Sequence, residues 1–239
     1  MISHQELLRE ITQELYHDNN VLALILYGSV SRNEESANSD IDLLAIINED
    51  YLQKRHTVRD GITIEFVEMH IKFLHDFIEK REVPILFALV NGIVLFDKFS
   101  VTEQFISDAR KIIENGPPVN SLWENEGYKT KKRSDITEIY KDLLDVDDEL
   151  TFNYIIALLI ANIIPMLIEN NSLWNQTRKK MIKYLKTQCF DCYKYIEALL
   201  SPVYSLPEKR EAAKSLIEYA LNSQGGLLQG DAVIFRKNG

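Results

Sequence analysis

The sequence predicts an α+β fold in which a small mixed sheet occupies residues 1–115 and a helical domain occupies residues 116–239. Three observations lead there. Short apolar runs at 21–27, 41–47 and 62–67 are bounded by turn residues and are too short for typical helices. From about residue 101 onward the apolar spacing is helical instead. Between the two patterns Gly116-Pro117-Pro118 cannot continue a helix and marks a connection.

The elements follow in order. Ser3-His4-Gln5-Glu6 is a capping-box pattern, and Leu7, Leu8, Ile11 and Leu15 continue it at helical spacing, so an amphipathic helix opens the chain. Val21 to Tyr27 is a buried strand that stops at Gly28-Ser29. Ile41 to Ile47 is a second strand, entered through Asp40 and Asp42, and Ile62 to Val67 a third, after the turn signal Asp60-Gly61. Helices are expected near 70–82 and 84–90, and a short closing strand at 92–96. Further helices are expected at about 101–114, 121–145, 150–169, 172–187, 190–201 and 207–222. The most apolar stretch, Tyr154 to Ile168, contains Asn162 and Pro165 and is shorter than the roughly 20 residues that span a bilayer, so it reads as a kinked core helix and no membrane is expected. The apolar patch Ala232 to Phe235 stays open between strand and loop.

Composition removes several classes of function. With 239 residues, 46% hydrophobic and 26% charged, the chain is neither disordered nor fibrous. A net charge of −9 argues against a broad phosphate-neutralising surface for nucleic acid. Acid is concentrated early: residues 1–100 hold 9 Lys/Arg against 17 Asp/Glu, and residues 101–239 hold 18 against 19. Cys189 and Cys192 form one C-x-x-C with no second pair, too little for a closed zinc site, and are expected as two reduced thiols on a helix face in the cytoplasm.

The chemistry is concentrated in one stretch: a strand, Gly28-Ser29, ten residues, Asp40-Ile41-Asp42, and a second strand. Gly28 lets the backbone turn sharply and approach a ligand, and Ser29 offers a hydroxyl and an N–H to a phosphate oxygen. Arg32 adds positive charge nearby, and Ser39 is either a phosphate contact or a turn residue. Asp40 and Asp42, two apart on a strand, project from one face and repel each other unless a cation lies between them. Mg²⁺ is commonly held by one or two carboxylates plus substrate phosphates. Glu65, an acid in an apolar strand, is expensive to bury unless paired or bound to metal, and is the expected third ligand. Glu68 is the alternative, at odd spacing and therefore on the opposite face. Two metal ions about 3.5–4 Å apart would clamp the attacking and departing oxygens of a phosphoryl displacement.

Gly28-Ser29-x-x-Arg32 and Ser39-Asp40-Ile41-Asp42-Leu43 resemble the signature of the nucleotidyltransferase superfamily whose prototype fold is DNA polymerase β, and especially its small bacterial antibiotic-modifying members. The resemblance by motif covers about residues 21–68. It implies Mg²⁺-dependent transfer of a nucleoside monophosphate, AMP from ATP or another triphosphate's equivalent, to an acceptor hydroxyl with release of pyrophosphate. It further implies that Ser29 contacts the triphosphate, that Asp40 and Asp42 bind both metals, and that Glu65 completes the site. The expected acceptor is a small hydroxylated molecule such as an aminoglycoside or lincosamide, with antibiotic resistance as the biological setting. Toxin–antitoxin members of the superfamily modify a protein partner, and a catalytically silent nucleotide-binding protein would keep the same carboxylates. A homodimer sharing a site is compatible with either.

The second half contributes lesser candidates. Lys179 and Lys183, four apart, could share a helix face and meet the triphosphate. Asp145, Asp147, Asp148 and Glu149 offer a carboxylate base, although helix-end acids more often cap. Lys129 to Arg133 reads first as surface charge, and none of His4, His17, His56, His70 and His75 is assigned a role.

Overall fold

A computed structural model describes residues 2–118 and 121–229. Its contacts divide the chain into two units, Met1–Gly116 and Pro117–Gly239.

In the first unit, α1 (His4–His17) begins at the expected capping box: the Glu6 N–H donates to Ser3 Oγ at 3.2 Å, and the Ser3 N–H to Glu6 Oε2 at 2.9 Å. The sheet contains β1 (Val21–Tyr27), β2 (Ile41–Ile47), β3 (Leu52–Arg59), β4 (Ile62–His70) and β5 (Ile93–Asp97) in the order β3-β4-β2-β1-β5. The β2–β4 pair is parallel and the other three pairs are antiparallel, so the sheet is mixed. The parallel pair arises because the chain leaves β2, runs back along the edge as β3, and returns as β4 in the direction of β2. Helices α2 (Ile71–Glu79), α3 (Val83–Asn91) and α4 (Glu103–Glu114) complete the unit.

Strand β3 was not expected. Its sequence, LQKRHTVR, is a polar edge strand with one half-buried residue and seven exposed, so it carries no apolar alternation of the kind that identifies a strand.

Alternation along the strands separates the two faces of the sheet. Leu24 and Leu26 of β1, Ile41 and Leu43 of β2, and Ile64 and Phe66 of β4 join Leu7, Leu8 and Ile11 of α1 in one buried cluster. Tyr27, Asp42 and Glu65 occupy the intervening positions and therefore point to the other face. Glu68, at odd spacing from Glu65, is buried on the α1 face, where Arg55 Nη2 pairs with it at 2.9 Å and the Arg55 guanidinium lies 4.0 Å from the centre of the Phe66 ring.

The end of β5 is tied to α4 by Asp97. Burial pushes its carboxyl up, but donors outweigh this and hold it below the ordinary carboxylate range: Thr102 Oγ1 at 2.7 Å, and the N–H groups of Thr102 at 2.8 Å, Val101 at 2.9 Å and Phe99 at 3.3 Å. A lowered folded-state value means stabilisation that is complete above the unfolded value and is lost as pH falls through the folded one. Asp97→Asn is therefore expected to cost about 1–2 kcal/mol at pH 7. Urea unfolding should show that gap at pH 7 and a clearly smaller one at about pH 3.

The second unit contains α5 (Glu126–Asp145), α6 (Glu149–Asn170), α7 (Arg178–Gln188), α8 (Phe190–Leu200) and α9 (Leu206–Leu221), with a 3₁₀ turn at Ser121–Glu124. Helix α6 has 22 residues and starts earlier than expected, because Asp148 caps it by accepting from the Thr151 N–H at 2.8 Å. By length and composition the whole helix could cross a membrane, a test that core helices also pass, although the apolar stretch Tyr154 to Ile168 within it is shorter. Phe152, Ile156, Leu159, Ile163 and Leu167 of α6 face the helical core, whereas Leu150 and Tyr154 are exposed. The helix continues through Pro165. Both Pro165 and Ala161, whose carbonyl loses its partner there, lie on the exposed side, where water can serve it. Cys189 and Cys192 are joined as a disulfide at the start of α8, with Cα atoms 5.4 Å apart, instead of two free thiols. The patch Ala232 to Phe235 lies outside the described residues.

Candidate active site

The sheet register builds the site. Tyr27 of β1 is the Cα partner of Asp42 of β2, Asp42 pairs with Glu65 of β4, and Glu65 with His56 of β3. Four functional side chains thus form one row across four strands on the face opposite α1. Asp40 enters β2 two residues before Asp42 and acts electrostatically on both Asp42 and Tyr27.

Gly28 is the hinge next to this row. Its φ is +79°, in the left-handed region that favours glycine. A Cβ at this position would overlap the carboxylate of Asp42. The expectation that Gly28 permits close approach therefore has a specific content: the space left by its missing side chain is filled by Asp42. After Gly28 the chain makes a 3₁₀ turn, Val30–Arg32, in which Ser31 Oγ donates to the Gly28 carbonyl at 3.0 Å. Ser29 precedes that turn without a side-chain capping bond, and its carbonyl accepts the N–H groups of Arg32 and Glu34, both at 3.1 Å.

Electrostatics mark Asp42. Partial burial, then the negative charges of Asp40 and Glu65, push its carboxyl up to about 6, against smaller opposing effects of Lys54 and Arg32. Burial and the charges of Glu65 and Asp42 likewise push the Tyr27 hydroxyl up. The phenol stays protonated and donates to Glu65 Oε1 at 3.3 Å. Glu65 has two further partners, Lys54 Nζ at 2.8 Å and His56 Nε2 at 3.7 Å.

The donor set suits a hard divalent cation: Asp42 and Glu65 in the row, with Asp40 beside it, bring carboxylate oxygens from three residues, and Asp40 and Glu65 raise the cost of ionising Asp42. Among the described residues, however, no three His, Cys, Asp or Glu side chains already converge on a common metal position. Glu65 is turned toward Lys54, His56 and Tyr27. Asp40, Asp42 and Glu65 are thus adjacent and chemically matched to Mg²⁺, with the third carboxylate engaged by a lysine.

The remaining candidates are placed as follows. Arg32 pairs with Glu34, Nε to Oε2 at 2.7 Å, and still lowers the cost of ionising Asp42. Ser39 is buried. Its hydroxyl accepts the Ser36 N–H at 2.9 Å and its carbonyl accepts from His4 Nε2 at 2.8 Å, so the side chain closes the loop before Asp40. Lys179 and Lys183 are exposed on α7 in the second unit. Of the acidic cluster, Asp148 caps α6 and Asp147 pairs with Arg210 at 3.0 Å. In the basic run, Lys129 and Lys131 pair with Glu126 and Asp135, and Arg133 donates to the carbonyls of Gly225 and Gly226. The second unit also holds a polar cleft of about 550 Å³ lined by Asn170, Asn171, Tyr195, Ser215, Glu218 and Tyr219. No residue lining it belongs to the carboxylate row.

Reading the residues alone missed Tyr27, Lys54 and His56. Tyr27 reads as the last residue of an apolar run, and the other two lie on the unrecognised strand β3. The signal that finds them is register: once β3 is paired with β4, residues 54 and 56 share the face of Glu65.

Comparison with known proteins follows the same segment. Residues 9–100 match the family model described as Polymerase beta, Nucleotidyltransferase. That span includes Gly28, Ser29, Asp40, Asp42 and Glu65. Comparison with curated proteins gives no match. Among solved structures, the chain is similar to a nucleotidyltransferase-like protein from Exiguobacterium sibiricum, at 14% identity and a TM-score of 0.46, over 90% of this chain and 73% of that one.

Proposed function

We propose that this chain, whose residues 9–100 form a nucleotidyltransferase domain of the polymerase β superfamily, moves a nucleoside monophosphate from ATP or another nucleoside triphosphate to a hydroxyl of a small acceptor. The supporting observation is the carboxylate row: Asp42 and Glu65 side by side on parallel strands, Asp40 two residues before Asp42, and Gly28-Ser29 at the end of the neighbouring strand.

Asp40, Asp42 and Glu65 would hold Mg²⁺. A divalent cation bound there neutralises triphosphate charge and polarises the reacting phosphoryl group. The protein's own contributions are positional. Gly28 keeps the backbone clear of Asp42, so the carboxylate can lie against the end of β1. Ser29, whose hydroxyl is not used in capping the following turn, is available to a triphosphate oxygen. Tyr27 orients Glu65 from one side while remaining a neutral donor.

The acid excess of the first 100 residues favours a cationic, hydroxyl-rich acceptor, which an aminoglycoside supplies. A cytoplasmic setting, where Mg²⁺ and nucleoside triphosphates are abundant, fits this reading.

The test is transfer from α-labelled ATP, GTP, CTP and UTP in Mg²⁺ to a panel of aminoglycosides and lincosamides, with whole-cell protein in parallel. Label is expected on a small hydroxylated molecule, and chelation of Mg²⁺ should abolish it. Label confined to protein would replace the small acceptor with a protein partner. Binding of Mg-ATP with no transfer to any acceptor would favour a nucleotide-binding protein.

A further inference from the structure

Glu65 is held on the site face by an ion pair that the carboxylate row does not otherwise explain. Lys54 Nζ lies 2.8 Å from Glu65 Oε1, and His56 Nε2 lies 3.7 Å from Oε2. Both donors come from β3, whose register with β4 puts residues 54 and 56 on the same side as Glu65. Arg55 and Arg59, at the alternate positions, turn to the other face and pair with Glu68 and Glu14. One edge strand thus supplies cations to both faces, and only Lys54 and His56 reach the carboxylate row. The side chain of Lys54 is 56% exposed, whereas that of Glu65 is 16% exposed. The lysine can therefore swing into water at little cost, but the glutamate cannot follow it.

We propose that Lys54 is the resident counter-ion of Glu65 and competes with the divalent cation for that carboxylate, so that metal binding requires Lys54 to be released from Glu65. The inference rests on the metal–nucleotide reading of the site given above. An ammonium and a divalent cation cannot both occupy the same carboxylate oxygens at contact distance, because they repel each other and both need the same lone pairs. Lys54 consequently offsets part of the repulsion within the three-carboxylate row while no metal is bound, and sets how much metal is needed to fill the site.

The experiment is Mn²⁺ binding to the full chain, measured by isothermal titration calorimetry or electron paramagnetic resonance, with no nucleotide and no acceptor. Lys54→Met is expected to tighten Mn²⁺ binding about fivefold, the scale of a largely exposed ion pair. Arg59→Met removes the same charge from the same strand on the other face, and should leave the affinity within about twofold. In a Glu65→Gln background the gain from Lys54→Met should fall to within about twofold, because only the weaker field of Lys54 at Asp42 then remains. An unchanged or weaker affinity in Lys54→Met would overturn the proposal. So would a gain that persists undiminished without Glu65, which would assign the effect to the general field of the charge. If Asp42→Asn leaves Mn²⁺ affinity unaltered, the metal reading of the site fails, and the competition fails with it. That result is distinct from a wild-type site that binds Mn²⁺ and ignores Lys54.

Discussion

Asp42→Asn should reduce nucleotidyl transfer by about 10³-fold in kcat/KM while raising the melting temperature of the metal-free protein. If Asp42 holds charge at a phosphoryl-transfer centre as proposed, loss of activity is the expected cost of removing it, a contribution of several kcal/mol at about 1.4 kcal/mol per factor of ten. The stability gain comes from the electrostatics of the row. Burial, together with Asp40 and Glu65, pushes the Asp42 carboxyl up to about 6. A carboxyl whose folded value is raised contributes stability below the unfolded value, and that contribution is lost as pH rises through the folded one. At pH 7.5 the ionised Asp42 therefore strains the metal-free fold, and an amide of the same shape relieves it. Asp42 is partly exposed, so solvent screening reduces the effect to about 1 kcal/mol, or about 2–4 °C for a chain of 239 residues. Scanning calorimetry should show the variant melting higher at pH 7.5 and the difference shrinking as pH falls toward about 4. A variant that loses both activity and stability would mean that Asp42 is a structural residue.

Gly28→Ala should also damage transfer and, unlike Asp42→Asn, should destabilise the fold. Two costs add. The backbone φ of +79° disfavours any side chain, and the new Cβ would overlap the Asp42 carboxylate. Together they are expected to cost about 2–3 kcal/mol and to displace Asp42 from the row, with transfer falling by at least about 10². Gly61 separates the two causes. It has φ of +82° with nothing within 4 Å of the position a Cβ would take. Gly61→Ala should therefore carry only the backbone cost of about 1 kcal/mol and leave transfer near wild type. Equal loss of transfer in the two variants would remove the special role given to the contact between Gly28 and Asp42.

The relative placement of the candidate site residues was legible in the sequence where side-chain alternation and turn chemistry act locally. Asp40 and Asp42 at strand spacing, Glu65 within an apolar strand, and Gly28 at a strand end are each constrained by their immediate neighbours, and the register brings them together. The same alternation separated Glu68 from Glu65, and the structure places Glu68 against Arg55 and Phe66 on the buried face. Strand β3 was illegible because it sits at a sheet edge, where mostly polar side chains meet water and even Leu52 and Val58 are exposed, so no apolar alternation marks it. Lys54 and His56 disappeared with it. Arg32 and Ser39 show a different limit: their partners Glu34 and Ser36 lie two and three residues away, and a loop of polar residues can satisfy itself in several ways before a ligand is considered. Helix α6 was legible to within one residue at each end, 150–169 expected against Glu149–Asn170, and it runs on through Pro165 because both that residue and Ala161, whose carbonyl loses its partner there, lie on the exposed side.

Calorimetric titration of the wild-type chain with ATP, with and without Mg²⁺, beside Asp42→Asn and Glu65→Gln, tests the central claim most directly. The carboxylate row predicts binding that needs Mg²⁺ in the wild type and weakens by at least about tenfold in both variants. ATP binding of equal strength without Mg²⁺, or unchanged in both variants, would contradict it.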